Sequence, residues 1–132
     1  MKRVGFFSDL PHGDASSPAI ASMTGKLDQE TARRLSRFMA SGSVIMPFHS
    51  ERCYDILSSR QEDLGPLMVQ SDGEWAWPSD IAYFVEKYQV GMPSEFIEHA
   101  ERSGWSAREL DDQAVESAGH EFARKSESAE AV

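Results

Sequence analysis

An Asp72-Gly73 pair stands between two β-prone runs, Leu67-Met68-Val69-Gln70-Ser71 and Glu74-Trp75-Ala76-Trp77, and no other feature limits the folding of the chain so tightly. An Asp-Gly pair flanked by extended segments is the strongest short-range hairpin cue, because both turn positions need positive φ. Side chains alternate along a strand, so Trp75 and Trp77 share one face while Glu74 and Ala76 point the other way. Two strand tryptophans on one face, followed directly by a helix, read as core. Pro78 ends the strand and can occupy the first position of a helix. Asp80 then falls in the first turn, where a negative charge suits the positive end of the helix. Ile81, Phe84, Val85 and Tyr88 follow at i, i+3, i+4, i+7, the spacing of one helix face.

The remaining elements are read around this unit. Arg3 to Phe7 is expected as a short strand, with Val4 and Phe6 on one face and Phe7 on the other. Asp28 to Ser41 is expected as a helix capped by Asp28, with Leu27 and Ala32 as a hydrophobic staple and Thr31, Leu35, Phe38 and Met39 on one face. Ser43 to Phe48 reads as a strand edged by Pro47. Ser50 to Ser58 reads as a short helix burying Cys53, Ile56 and Leu57, and Gln61 to Pro66 as a turn-rich connector. Pro93 opens a helix carrying Phe96, Ile97 and Ala100, with Gly104 as its C-terminal cap and Trp105 packing back over the last turn. Ser8 to Lys26, rich in Gly, Pro, Ser and Asp, reads as a long loop. Residues 106–132 hold seven acids against three bases and few large apolar residues, so disorder is expected there ahead of a frayed helix. The expected class is α+β: a small antiparallel sheet of three to four strands covered by three to four helices, in one compact domain over residues 1–105. Strands and helices do not alternate regularly enough for a doubly wound fold.

With 132 residues and a single cysteine, Cys53, the chain fits one domain without an intrachain disulfide, and a reducing cytoplasm is the expected location. The apolar patch Val4 to Phe7 is shorter than the roughly 7–15 residues of a signal peptide core. No run approaches the roughly 18 apolar residues of a membrane span, so no membrane association is expected. The formal charge is −9, from 22 acidic and 13 basic side chains. Such a surface repels phosphate backbones, which argues against nucleic acid, and it favours encounter with a basic protein.

Strong chemical motifs are missing: there is no phosphate loop, dinucleotide fingerprint, nucleophile elbow, HExxH or CxxC. Three weaker groupings remain. His49 and Cys53, four apart, would share a face on one helix, where an imidazolium lowers a thiol's pKa. Asp9, His12 and Asp14 in the first loop offer two carboxylates and an imidazole for a ligand or a proton. Asp72, Glu74, Tyr83 and Glu86, with Asp80 and Lys87 on the same helix, offer an acidic patch containing an aromatic ring. His99 and His120 are expected on the solvent side. Binding thus falls to Asp9, His12, Asp14, Asp72, Glu74, Tyr83 and Glu86. No catalytic residue, metal or cofactor is expected, and binding is favoured over catalysis.

The run from Asp72 to Tyr88, DGEWAWPSDIAYFVEKY, together with Met92-Pro93-Ser94-Glu95-Phe96 and Gly104-Trp105, resembles a segment of a family of small bacterial proteins with no established activity. Val4-Gly5-Phe6-Phe7 and Leu10-Pro11-His12-Gly13-Asp14 are similar to that family's start. The resemblance covers residues 72–105 well and the rest of 1–105 loosely, and it implies a compact domain. Compact acidic proteins of this kind occur as immunity proteins paired with toxins, an analogy of class. The leading expectation is a protein-binding module of that sort, acting by occlusion. A small enzyme or ligand-binding domain using the Asp9/His12/Asp14 loop is the alternative, and a homo-oligomer subunit is the third.

Overall fold

A computed structural model describes residues 1–124. The hairpin organises the sheet. β3 (Asp63–Ser71) and β4 (Trp75–Pro78) pair antiparallel, with Gln70 opposite Trp77 and Ser71 opposite Ala76. The turn differs from the sequence expectation, since only Gly73 takes positive φ, at 100°. Asp72 works through its side chain instead: Oδ1 accepts the amides of Glu74 and Trp75, both at 3.0 Å.

β1 (Lys2–Arg3) and β2 (Ser43–Tyr54) complete a four-stranded sheet in the order β1-β4-β3-β2. The class is α+β, as the sequence indicates, but the sheet is mixed. β1 runs parallel to β4, with Lys2 opposite Trp75 and Arg3 opposite Ala76. The strand at the N-terminus is shorter than Arg3 to Phe7 because Gly5 takes φ 85°, which breaks the alternation. Val4 and Phe7 therefore enter one core, and Phe6 packs against the other.

The helix expected over Ser50 to Ser58 does not form. β2 continues past Pro47 to Tyr54, paired with β3 through Arg52 opposite Pro66 and Cys53 opposite Gly65. A two-nitrogen contact from Arg52 to Asp63, 3.0 Å from Nε to Oδ2 and from Nη2 to Oδ1, reinforces that pairing. Cross-strand partners outside the local window override a weak helical pattern. Register shifts between Phe48 and Arg52 and between Cys53 and Tyr54 bend the strand.

α1 (Gln29–Ala40), α2 (Ile81–Tyr88) and α3 (Ser94–Arg102) cover the face of Trp75 and Trp77. Asp28 caps α1 as expected, its Oδ1 accepting the Thr31 amide at 2.8 Å. Phe38, Trp75, Trp77 and Phe96 meet with ring centroids 5.0–5.7 Å apart, the spacing of tilted and edge-to-face pairs. The indole N–H of the fully buried Trp77 donates to the Met39 carbonyl at 2.9 Å, so burial strands no donor.

The opposite face is covered by α4 (Asp112–Arg124), so of the two expectations for the tail, disorder or a frayed helix, this stretch takes the helical one and packs against the sheet. Its stripe is built from small residues, Ala114, Val115, Ala118 and Gly119, with Phe122 as its one large member. That stripe is weakly hydrophobic by side-chain size, yet it fits closely over Ile45, Val69 and Ala76. Arg3 also holds it: its guanidinium lies 3.8 Å from the Phe122 ring centroid and donates to the Phe122 carbonyl at 2.8 Å. The rest of the acidic tail, 125–132, lies outside the described residues. No helix among the described residues is long and apolar enough to cross a membrane.

Candidate functional site

Asp80 occupies the N-cap position of α2 but makes no side-chain capping bond. Its backbone is already helical (φ −80°, ψ −14°), whereas a capping side chain is usually carried on extended backbone. The carboxylate is turned inward and its side chain has no exposure to solvent. This overturns the reading of Asp80 as part of an exposed helix face. His12 Nε2 lies 3.3 Å from Asp80 Oδ1 and 3.2 Å from Oδ2, but Oδ2 accepts no well-aligned hydrogen bond. The buried Cys53, brought in by the bent end of β2, completes a group whose ligand atoms lie within 4.8 Å of one another.

The first loop presents His12 through two successive turns. The Leu10 amide donates to the Phe7 carbonyl at 3.1 Å and the Gly13 amide to the Leu10 carbonyl at 2.9 Å. Gly13 is required there, since a Cβ would lie 1.7 Å from the Phe7 carbonyl oxygen. The expected convergence of Asp9, His12 and Asp14 does not occur. Asp9 accepts the Ile20 amide at 2.7 Å and holds the 3₁₀ turn Ile20–Met23, while Asp14 accepts the Ser16 amide at 3.1 Å. Both carboxylates serve loop geometry. His12 alone reaches across to the sheet and α2.

Burial pushes the Cys53 thiol up to about 12, and the neighbouring Asp80 carboxylate adds to the rise. The free thiol is thus protonated at neutral pH, the opposite of an activated nucleophile. His49 gives it no help, because it is exposed on β2 while Cys53 is buried. Beside His12 a groove of about 270 Å³ opens, walled by Arg3, Phe6, Phe48, Glu51 and Phe122.

The acidic patch is rearranged as well. Asp72 is buried, 4% exposed, and its Oδ2 bonds His99 Nε2; His99 is therefore not on the solvent side. Glu74 is exposed, with its carboxylate 3.8 Å from His99 Nδ1. Tyr83 is half-buried and donates its hydroxyl to Asp55 at 2.7 Å. Glu86 is exposed on α2. Of the sequence-derived patch, Glu74 and Glu86 present their carboxylates to solvent.

Asp55 was missed by sequence reasoning. It is fully buried, and its Oδ2 accepts Tyr83 at 2.7 Å and Tyr88 at 2.8 Å, while Oδ1 accepts the Leu57 amide at 2.9 Å. Lys87 Nζ sits 3.6 Å from the carboxylate and donates to the Tyr83 hydroxyl oxygen at 2.9 Å. Burial acts to raise the Asp55 carboxyl, but these donors outweigh it and hold it below its ordinary value. The same network pushes Lys87 upward, first through its bond to Tyr83. Both carboxylate oxygens are engaged, so this network ties the end of β2 to α2 as a structural anchor. The i, i+4 spacing of Tyr83 and Lys87 was its one legible signal. No family model, curated protein or solved structure matches the chain.

Proposed function

We propose that the chain is a protein-binding module that engages a basic partner through the surface of α3 and α4. The observation that carries this reading is the uneven distribution of charge. Residues 93–124 hold eight acids against three bases, whereas residues 26–60 hold six bases against four acids. Glu95, Glu98 and Glu101 are all exposed along α3, at the three-residue spacing that lines one helix face. Glu74 lies against His99 of the same helix, and beyond it a hollow of about 350 Å³ is lined by Met1, Lys2, Trp75 and Glu121. Within it the N-terminal ammonium pairs with Glu121, and Lys2 lies over the Trp75 ring and 3.6 Å from Glu95, so the open carboxylates on this side are Glu98 and Glu101 of α3 and the exposed Glu74 at the rim. Charge of this kind speeds encounter and sets orientation more than it adds affinity.

Occlusion of a basic active site, as an immunity protein occludes a toxin, is the specific form of this proposal. The test is affinity capture from the native host with the wild-type chain and with an E95K/E98K/E101K variant. A partner retained by the wild type, released by salt and absent from the variant supports the reading. A partner retained equally by both removes it. A second reading, a ligand site at the first loop, is favoured by the placement of His12 between the groove and Asp80.

A further inference from the structure

We propose that His12 Nε2, Cys53 Sγ and Asp80 Oδ2 form a binding site for a divalent ion of the zinc class, with a fourth position facing the groove beside His12. The site is independent of the acidic surface proposed above. Imidazole, thiolate and carboxylate are the three donor types that zinc takes from proteins, and a thiolate disfavours calcium and magnesium. Metal–ligand bonds of about 2.0–2.3 Å at tetrahedral angles place neighbouring donor atoms roughly 3.3–3.8 Å apart. The separation of His12 Nε2 and Asp80 Oδ2, 3.2 Å, is already close to that edge, and all three donors fall within 4.8 Å. Closing on an ion therefore needs side-chain adjustment and no rearrangement of the fold, with the ion displacing the Cys53 thiol proton to solvent.

The independent observation is Asp80 Oδ2. It belongs to a side chain with no solvent exposure, it caps no helix amide, and it accepts no well-aligned hydrogen bond, with only the other two members of the cluster, His12 and Cys53, beside it. Leaving one oxygen of a buried carboxylate unsatisfied is costly, and a cation relieves that cost. The comparison with Asp72, Glu74 and His99 sharpens the assignment. Those atoms are also grouped within 4.8 Å, but both Asp72 oxygens are engaged and Glu74 stands in solvent. One cluster has a buried oxygen that accepts no well-aligned hydrogen bond, and the other has none. Of the three donors only His12 lines the groove, and Cys53 and Asp80 lie buried behind it, so a fourth ligand would approach along the His12 side.

The test uses the full chain, freed of metal by a chelator, with Zn²⁺ titrated by calorimetry and Co²⁺ followed by absorption. One equivalent of Co²⁺ is expected to give a thiolate-to-cobalt charge-transfer band in the wild type. C53S is expected to abolish that band, and C53S and H12A to weaken Zn²⁺ binding by at least about ten-fold. H99A is expected to leave Zn²⁺ affinity within about two-fold. Circular dichroism verifies that each variant is folded. The wild-type cobalt spectrum alone is decisive in the negative sense, since a spectrum without the thiolate band overturns the proposal whatever the variants do. Zn²⁺ affinity unmoved in folded C53S and H12A, or lost in H99A, overturns it equally.

Discussion

Asp55 is the residue at which local chemistry is most consequential. A carboxylate without solvent is tolerated only where donors surround it, and here two tyrosine hydroxyls, one amide and a nearby ammonium do so. Asp55→Ala leaves those donors without an acceptor and is expected to destabilise the fold by roughly 3 kcal/mol, measured by urea unfolding. The pH dependence follows from the sign of the shift. The folded carboxyl lies below its ordinary value, so the unfolded chain binds its proton more readily. The stabilisation is complete above the unfolded pKa of about 4 and is lost as pH falls below it. Urea midpoints between pH 6 and pH 3 should drop more steeply in the wild type than in Asp55→Asn. Cys53 tests the other buried centre. With 2% exposure and its pKa pushed up to about 12, it should resist alkylation at pH 8 in the native protein and react fully in denaturant. Rapid native modification would mean the thiol is accessible or ionised.

At the scale of elements, the segment from Leu67 to Trp105 was legible because its signals agree. The Asp-Gly turn, the paired tryptophans and the stripe Ile81, Phe84, Val85 and Tyr88 all name one hairpin-helix unit, and Trp75 and Trp77 do lie in one core. β2 was illegible beyond Phe48 because its extended form depends on Arg52–Asp63 and the pairing with β3, which lie outside any local window. α4 was illegible because, Phe122 apart, its stripe is built from small residues, which carry little hydrophobic weight but allow close approach. The candidate centre was half legible. His12 stood out in the first loop, but its real partners come from β2 and the start of α2, and only the fold brings them together. Gly119 gives the element-scale prediction. A Cβ there would sit 2.8 Å from the Ile45 carbonyl oxygen, so Gly119→Ala should push α4 off the sheet at a cost of about 1–3 kcal/mol. Hydrogen exchange should quicken in α4 while β3 and β4 keep their protection. Unchanged α4 protection would show that the helix docks by other means.

On the scale of the whole molecule, the large apolar side chains are spent on two cores, one on each face of the sheet. What remains outside is charge, and it is unevenly placed: exposed arginines Arg33, Arg34 and Arg37 on α1, and exposed glutamates along α3. An exterior with that asymmetry orients a charged partner before contact, and the effect weakens as salt shortens the reach of the field to about 8 Å near 0.15 M. The most direct measurement is the association rate with the captured partner as ionic strength is raised from 0.05 to 0.5 M. Charge steering through α3 predicts a fall of about ten-fold or more for the wild type and a nearly flat profile for E95K/E98K/E101K. A wild-type rate that does not change with salt would contradict it.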